Sequence, residues 1–246
     1  MSRLPASERL AAIATAATEV FGRLGYRGTR TADVAARAGM SAGSLFTYVE
    51  SKEALFHLVF LYGLDRLPED PALPLGTPEP GETAALFGRA LHESAVSRIQ
   101  AALAGSGPVD AGEELRGIVE ELYETVERDW PLLTVVERCA AELPELETLW
   151  FGEARAGIFA ELAEYLRRGA ASGRLRPMPD ATVAARLVAE LVAWFAWHRR
   201  NSHDAGLYDD QLARRTVIEF VCAALVPLGP IPKSTPKEDE SWTEHD

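Results

Sequence analysis

Cysteine is scarce in this chain. Two residues, Cys139 and Cys222, stand among 246, and neither belongs to a CxxC pair. A disulfide scaffold and a thiolate zinc site are thereby excluded, and reduced, partly buried thiols are the expected state. Long apolar runs are absent too. No segment approaches the roughly 20 uninterrupted apolar residues of a membrane-spanning helix. The opening MSRLPASERL has no apolar core of a secretory signal. The chain is therefore expected to act in the cytoplasm, with no membrane partner. There is no phosphate-binding glycine loop and no HExxH pair, so no catalytic residues, no metal site and no cofactor are expected. His92 and Glu93 are adjacent and point to different helix faces. His198 and His203 have no third group at ligand spacing, and His198 reads as a helix-end cation beside Arg199 and Arg200. The runs Glu113–Glu114 and Glu120–Glu121 read as solvated helix faces. No stretch alternates long enough to be a strand, and there are no obvious repeats. Positive charge is in deficit: 25 Lys and Arg against 37 Asp and Glu, a net charge of −12.

What the chain has is helical periodicity. Residues 7–24 place Leu10, Ile13, Ala14, Ala17, Val20, Phe21 and Leu24 on one stripe. Helical patterns recur at about 51–62, 82–104, 112–128, 131–142, 145–171, 180–200 and 209–226. Pro131 and Pro144 sit where helices would start. Between Leu67 and Pro80, Pro68, Pro71, Pro74, Pro78 and Pro80 rule out a helix and define a long loop, a length that marks function or disorder. Residues 229–246 are polar, acidic and proline-bearing and read as a disordered tail. Charge is uneven. Residues 1–57 carry seven basic and five acidic groups, so the head is mildly basic on an acidic body. Such a body repels phosphates and turns the head toward them.

Residues 29–55, TRTADVAARAGMSAGSLFTYVESKEAL, carry the strongest signal. Thr29 is placed as an N-cap, Val34, Ala35 and Ala38 form an apolar face, and Gly39 supplies a left-handed stop. Ser41 caps a second helix with Leu45 and Val49 inward, and Ser51 caps a third. Two short helices about a glycine turn make a helix-turn-helix, whose second helix enters the major groove. The order Gly25-Tyr26, Thr29, VAARAGMS (34–41), GSLF (43–46), Tyr48 and SKEAL (51–55) resembles the N-terminal domain of TetR-type transcriptional repressors. The likeness is specific over residues 7–60 and architectural beyond them.

The resemblance implies an all-α chain: a three-helix DNA-binding domain at 1–50, and a helical effector-binding and dimerisation domain at 51–228. It implies a homodimeric repressor on a palindromic operator of double-stranded DNA, released by a small molecule. Ala42, Gly43 and Ser44 would face base edges, with Thr47 and Tyr48 on the same surface and Arg30 beside it. Thr29 and Lys52 would hold phosphates. Two positions depart from the family pattern. Position 42, often Lys, is Ala, and Phe46 lacks the phosphate-reaching hydroxyl of the usual Tyr. Ala32 cannot hydrogen-bond a base. Direct readout is therefore thin, with methyl contacts from Ala42 or Thr47 to thymine as a supplement.

In the body, Phe87, Leu91, Tyr123, Phe151, Phe159 and Trp194 are candidate walls for an apolar effector; each also reads as ordinary core. Few cations fall on the apolar stripes, so a multiply charged anion would lack partners. Apolar faces on the last two helices supply a candidate two-fold interface: Val183, Leu187, Leu191, Phe195, Val217, Val221 and Leu225. Two rival classes remain: a helical-bundle enzyme or carrier, and a DNA-binding protein that senses nothing.

Overall fold

The computed structural model describes residues 5–93, 97–107, 110–203 and 205–227. Every regular element among them is helical. The tail expected at 229–246 lies outside the described residues.

Helix α1 (Ala6–Gly28) buries Leu10, Ile13, Ala14, Ala17, Val20 and Phe21 at spacings of three and four. It lies against the end of α7 (Ala111–Ala140), the longest helix. Gly25 takes φ +76°, and a Cβ there would meet the Glu142 carboxylate at 2.4 Å. The positive φ is what favours glycine here. The same carboxylate accepts from the Arg27 N–H at 2.6 Å, tying α1 to the end of α7. Helices α2 (Thr31–Arg37) and α3 (Ala42–Leu45) complete the head, and α4 (Lys52–Gly63) leads into the body.

The proline-rich segment, 64–81, is not helical. It runs back along the head as an extended strap, with Leu75 in an isolated parallel bridge to Val49. Leu67 and Leu75 rest on the adjoining apolar core. The body continues through α5 (Glu82–Glu93), α6 (Ser97–Leu103), α7, α8 (Pro144–Glu147), α9 (Arg155–Ala171), α10 (Ala181–Ala196) and α11 (Asp210–Leu225).

Three expectations change. The patterns at 112–128 and 131–142 are one helix, α7, with Pro131 inside it. Leu122 and Tyr123 on one side and Leu132 and Leu133 on the other are buried, so packing on both flanks outweighs the missing N–H. The pattern at 145–171 is interrupted: Thr148–Ala154 forms a π-helical segment between α8 and α9. The pattern at 180–200 tightens into a 3-10 turn at His198–Asn201, where Arg199 is 1 % exposed. Its guanidinium donates to the Phe195 carbonyl at 2.6 Å and pairs with Asp210. Nor is Glu114 on a solvated face. It is buried and paired with Arg174 at 3.2 Å.

Two apolar clusters hold the molecule. The first joins α1–α4, Phe87 of α5, the C-terminal half of α7 and Trp150. It runs without a break across residue 50. The second joins the N-terminal half of α7 to α9, α10 and α11. Head and first body helices therefore share one core.

Candidate nucleic-acid interface

The head presents α3 by anchoring its inner face. Leu45 and Val49 are fully buried against α1, α2 and α4. Truncating a side chain like Leu45 costs about 2–5 kcal/mol. Gly39, at φ +69°, ends α2 and turns the chain. The Ser41 hydroxyl accepts from the Ser44 N–H at 3.1 Å and lies 2.8 Å from the Ser44 hydroxyl, capping α3. Thr47 donates its hydroxyl to the Ser44 carbonyl at 2.8 Å. With the inner face fixed, Ala42, Gly43, Ser44, Phe46 and Thr47 stand exposed on the outer face. Tyr48 is half-buried against the first cluster.

Thr29 departs from expectation. It is 1 % exposed, and its hydroxyl donates inward to the Gly25 carbonyl at 2.7 Å. Arg30 occupies the N-cap position of α2 instead, its N–H donating to Asp33 at 3.2 Å. Thr29 thus closes α1 rather than opening α2, and its hydroxyl is buried against that helix. Arg30 itself is exposed.

On the other side of α3, the Ser51 hydroxyl accepts from the Ala54 N–H at 3.0 Å and caps α4. Lys52 lies over the Tyr26 ring, 4.6 Å from its centroid. The Tyr26 hydroxyl donates to Glu53 at 3.0 Å. Burial, then Glu53, raises the Tyr26 pKa, so the phenol stays protonated. Glu53 is held below the usual carboxylate range by its own backbone N–H first, with Tyr26 and Ser51 assisting. Both groups keep their charge states across neutral pH, so a neutral phenol and a carboxylate flank the Lys52 side chain.

The body residues proposed as pocket walls do not converge. Phe87 belongs to the first cluster and Tyr123 to the second. Leu91 is half-buried beside Phe87's cluster. Phe151 and Trp194 are exposed, and Phe159 is half-buried with the Arg155 and Arg186 guanidiniums over its ring. Helical phase explains the miss: these residues share apolar character, not one direction. Trp150 is a further aromatic of this part of the body. It sits in the π-helical segment, buried, with its ring 6.1 Å from Phe87. Its indole N–H has no hydrogen-bond acceptor among the described residues. Buried donors normally have a partner, and π-helical segments often mark functional sites. Among the described residues, no three His, Cys, Asp or Glu side chains gather as a metal site.

The residues expected at a two-fold interface divide between core and surface. Val217, Val221 and Leu225 are buried in the second cluster. The exposed apolar side chains on these two helices are Val183 at 59 %, Leu187 at 63 %, Leu212 at 52 % and Phe220 at 65 %, with Trp194 at the margin. Leu191 and Phe195 are half-buried between the faces. On α11, both sets are apolar, and only the phase of the helix separates them.

Comparison with known proteins fits this geometry. Residues 13–59 match the model for bacterial regulatory proteins of the tetR family. Residues 113–223 match the C-terminal domain of AefR-like transcriptional repressors. A sequence comparison with curated proteins finds no match. Among solved structures, the ketosteroid transcriptional regulator KstR2 of Mycobacterium tuberculosis aligns with a TM-score of 0.54 and 17% identity, over 93% of this chain and 98% of that one. AibR in complex with isovaleryl coenzyme A and operator DNA aligns with a TM-score of 0.53 and 21% identity, over 88% and 99%. A tetR-family regulatory protein from Rhodococcus RHA1 aligns with a TM-score of 0.54 and 19% identity, over 90% and 99%. At these identities the likeness is one of fold.

Proposed function

The chain belongs to the TetR family of bacterial transcriptional regulators, and from that premise we propose how its own residues do the work. Two heads of a homodimer read a palindromic operator, each through the outer face of α3. The observation that carries this reading is the orientation of α3: Leu45 and Val49 are sunk in the core, leaving Ala42, Gly43, Ser44, Phe46 and Thr47 outward. Ser44 and Thr47 contact base edges, Ala42 and the Thr47 methyl meet thymine, and Arg30 and Lys52 meet phosphates on either side. The division of labour falls near residue 50, with reading before it and sensing and pairing after it.

Pairing uses Val183, Leu187, Leu212, Phe220 and Trp194, since a two-fold operator needs a two-fold protein. Sensing uses the region around Phe87, Leu91 and Trp150. The effector is a mostly apolar molecule with one hydrogen-bond acceptor for the Trp150 N–H. It lowers operator affinity only if it binds the released state more tightly than the bound state. The protein is a regulator and not an enzyme, and it acts in the cytoplasm, where its DNA is; no helix among the described residues is long and apolar enough to cross a membrane.

Selection from a pool of random duplexes with the full-length protein tests the reading. An inverted repeat with half-sites about one helical turn apart is expected. A pool that stays random after repeated selection contradicts it.

A further inference from the structure

The strap at 64–81 lies between the two stretches that match family models, 13–59 and 113–223. It makes specific contacts with the exit of α3. The Leu75 N–H donates to the Tyr48 carbonyl at 2.8 Å, and the Glu50 N–H donates to the Leu75 carbonyl at 3.0 Å. The Thr77 N–H donates to the Glu50 carboxylate at 3.0 Å, and the Thr77 hydroxyl donates to the Ser51 hydroxyl at 2.8 Å. Ser51 is itself the N-cap of α4. The strap therefore engages each end of the corner that joins the reading helix to the body.

Its far end is equally fixed. The Glu79 N–H donates to Glu82 at 2.9 Å at the start of α5. His57 of α4 lies 2.9 Å from the Thr83 hydroxyl of α5. From α5, Phe87 reaches Trp150. The strap is thus a second connection between body and reading surface, parallel to α4.

We infer that Leu75 and Thr77 are positioning residues for DNA recognition: they clamp residues 48–51 and so set the angle at which α3 is presented. The physical need is plain. Helix α3 has four residues, far too few to hold its own geometry. Its inner face is anchored by Leu45 and Val49, but the Tyr48 carbonyl and the Glu50 N–H are held by the strap's Leu75 and would otherwise face water. Base readout depends on hydrogen-bond geometry at the groove, which a shifted helix loses. The strap does not serve as a phosphate contact itself: its one cation, Arg66, is paired with Glu93, and its other charges, Asp65, Glu69, Asp70 and Glu79, are acidic.

This inference rests on the operator-reading function proposed above, and one experiment separates the two. Full-length protein is titrated onto the selected inverted repeat and onto a scrambled duplex. Three variants accompany it: residues 74–78 replaced by glycine and serine, Thr77→Val and Thr77→Ser. Strap replacement is expected to weaken binding to the selected repeat by about tenfold, as loss of several hydrogen bonds would, while non-specific binding stays within about twofold. Thr77→Val should lose a smaller part of the affinity, and Thr77→Ser should restore it, with unchanged melting temperatures. Equal losses on both duplexes, or no loss on either, overturn the inference. A wild-type protein that cannot tell the duplexes apart overturns the operator reading and the strap's role with it. Amide exchange in the wild-type protein gives an independent check should the replacement misfold: slow exchange is expected at the Leu75 and Glu50 N–H groups, and exchange at the rate of open loop contradicts the clamp.

Discussion

At the scale of single residues, chemistry divides neighbours that look alike in sequence. Ser44 and Thr47 point outward, while Lys52 is a cation with its ammonium over Tyr26. Lys52→Ala should weaken binding to every duplex alike and flatten the salt dependence by about one unit of slope. Ser44→Ala should instead change the preference among operator variants; anisotropy titrations on a set of single-base variants distinguish the two behaviours. Cys139 gives a second prediction. It is buried in the first cluster, and burial pushes its thiol pKa up to about 12 from 9.0. The unfolded chain therefore loses this proton first as pH rises. Stability contributed by the neutral thiol is complete below about pH 9 and is lost progressively above it. Chemical unfolding of wild type and Cys139→Ala across that range should converge as pH rises; parallel curves would contradict the shift.

At the scale of elements, the sequence was most readable where polarity and phase agree. Helix α1, the Gly39 turn and the caps at Ser41 and Ser51 were all legible, because each depends on a local residue type in a local place. Thr29 was not, since its hydroxyl could bond forward or backward, and only the packing of α1 decides. The break expected before Pro131 failed because buried side chains on both flanks carry α7 through it. A proline inside a helix still leaves one carbonyl without a donor, so Pro131→Ala should stabilise the protein, by up to about 3 kcal/mol, read as a raised denaturation midpoint. The strap was legible as a non-helix, yet its pairing with Val49 was not, because a single bridge leaves no pattern. Its junction with α4 is also pH-sensitive. Burial lowers the pKa of His57, with Glu82 partly opposing. The unfolded chain takes up this proton first, so stability should fall as pH drops below about 6.5. His57→Gln should remove that part of the acid loss; an unchanged acid profile would count against it.

At the scale of the whole molecule, each chain sets a mildly basic head on an acidic body, and the pairing proposed above brings two such heads to one operator. The apolar character of α10 and α11 is legible in the sequence, but which of their side chains stay exposed is not. On α11, Leu212 and Phe220 are exposed while Val217, Val221 and Leu225 are buried, and all five are apolar, so residue type alone does not separate them. The exposed set, proposed above as the pairing surface, predicts different phenotypes for neighbouring substitutions. Leu187→Glu and Phe220→Glu should give folded monomers that bind the operator weakly, since each exposed side chain buried by pairing contributes about 1.5–3 kcal/mol. Val221→Glu, in the core, should unfold the body instead. Sedimentation together with circular dichroism separates these outcomes, and a wild-type monomer at micromolar concentration would refute the interface. The reading face of α3 is tested most directly by affinity on the selected inverted repeat against its scrambled control. Wild type should favour the repeat by about a thousandfold or more at physiological salt, and Ser44→Ala combined with Thr47→Ala should erase most of that preference while leaving non-specific binding intact. Equal affinity of wild type for the two duplexes, or a double variant that discriminates as well as wild type, would contradict it.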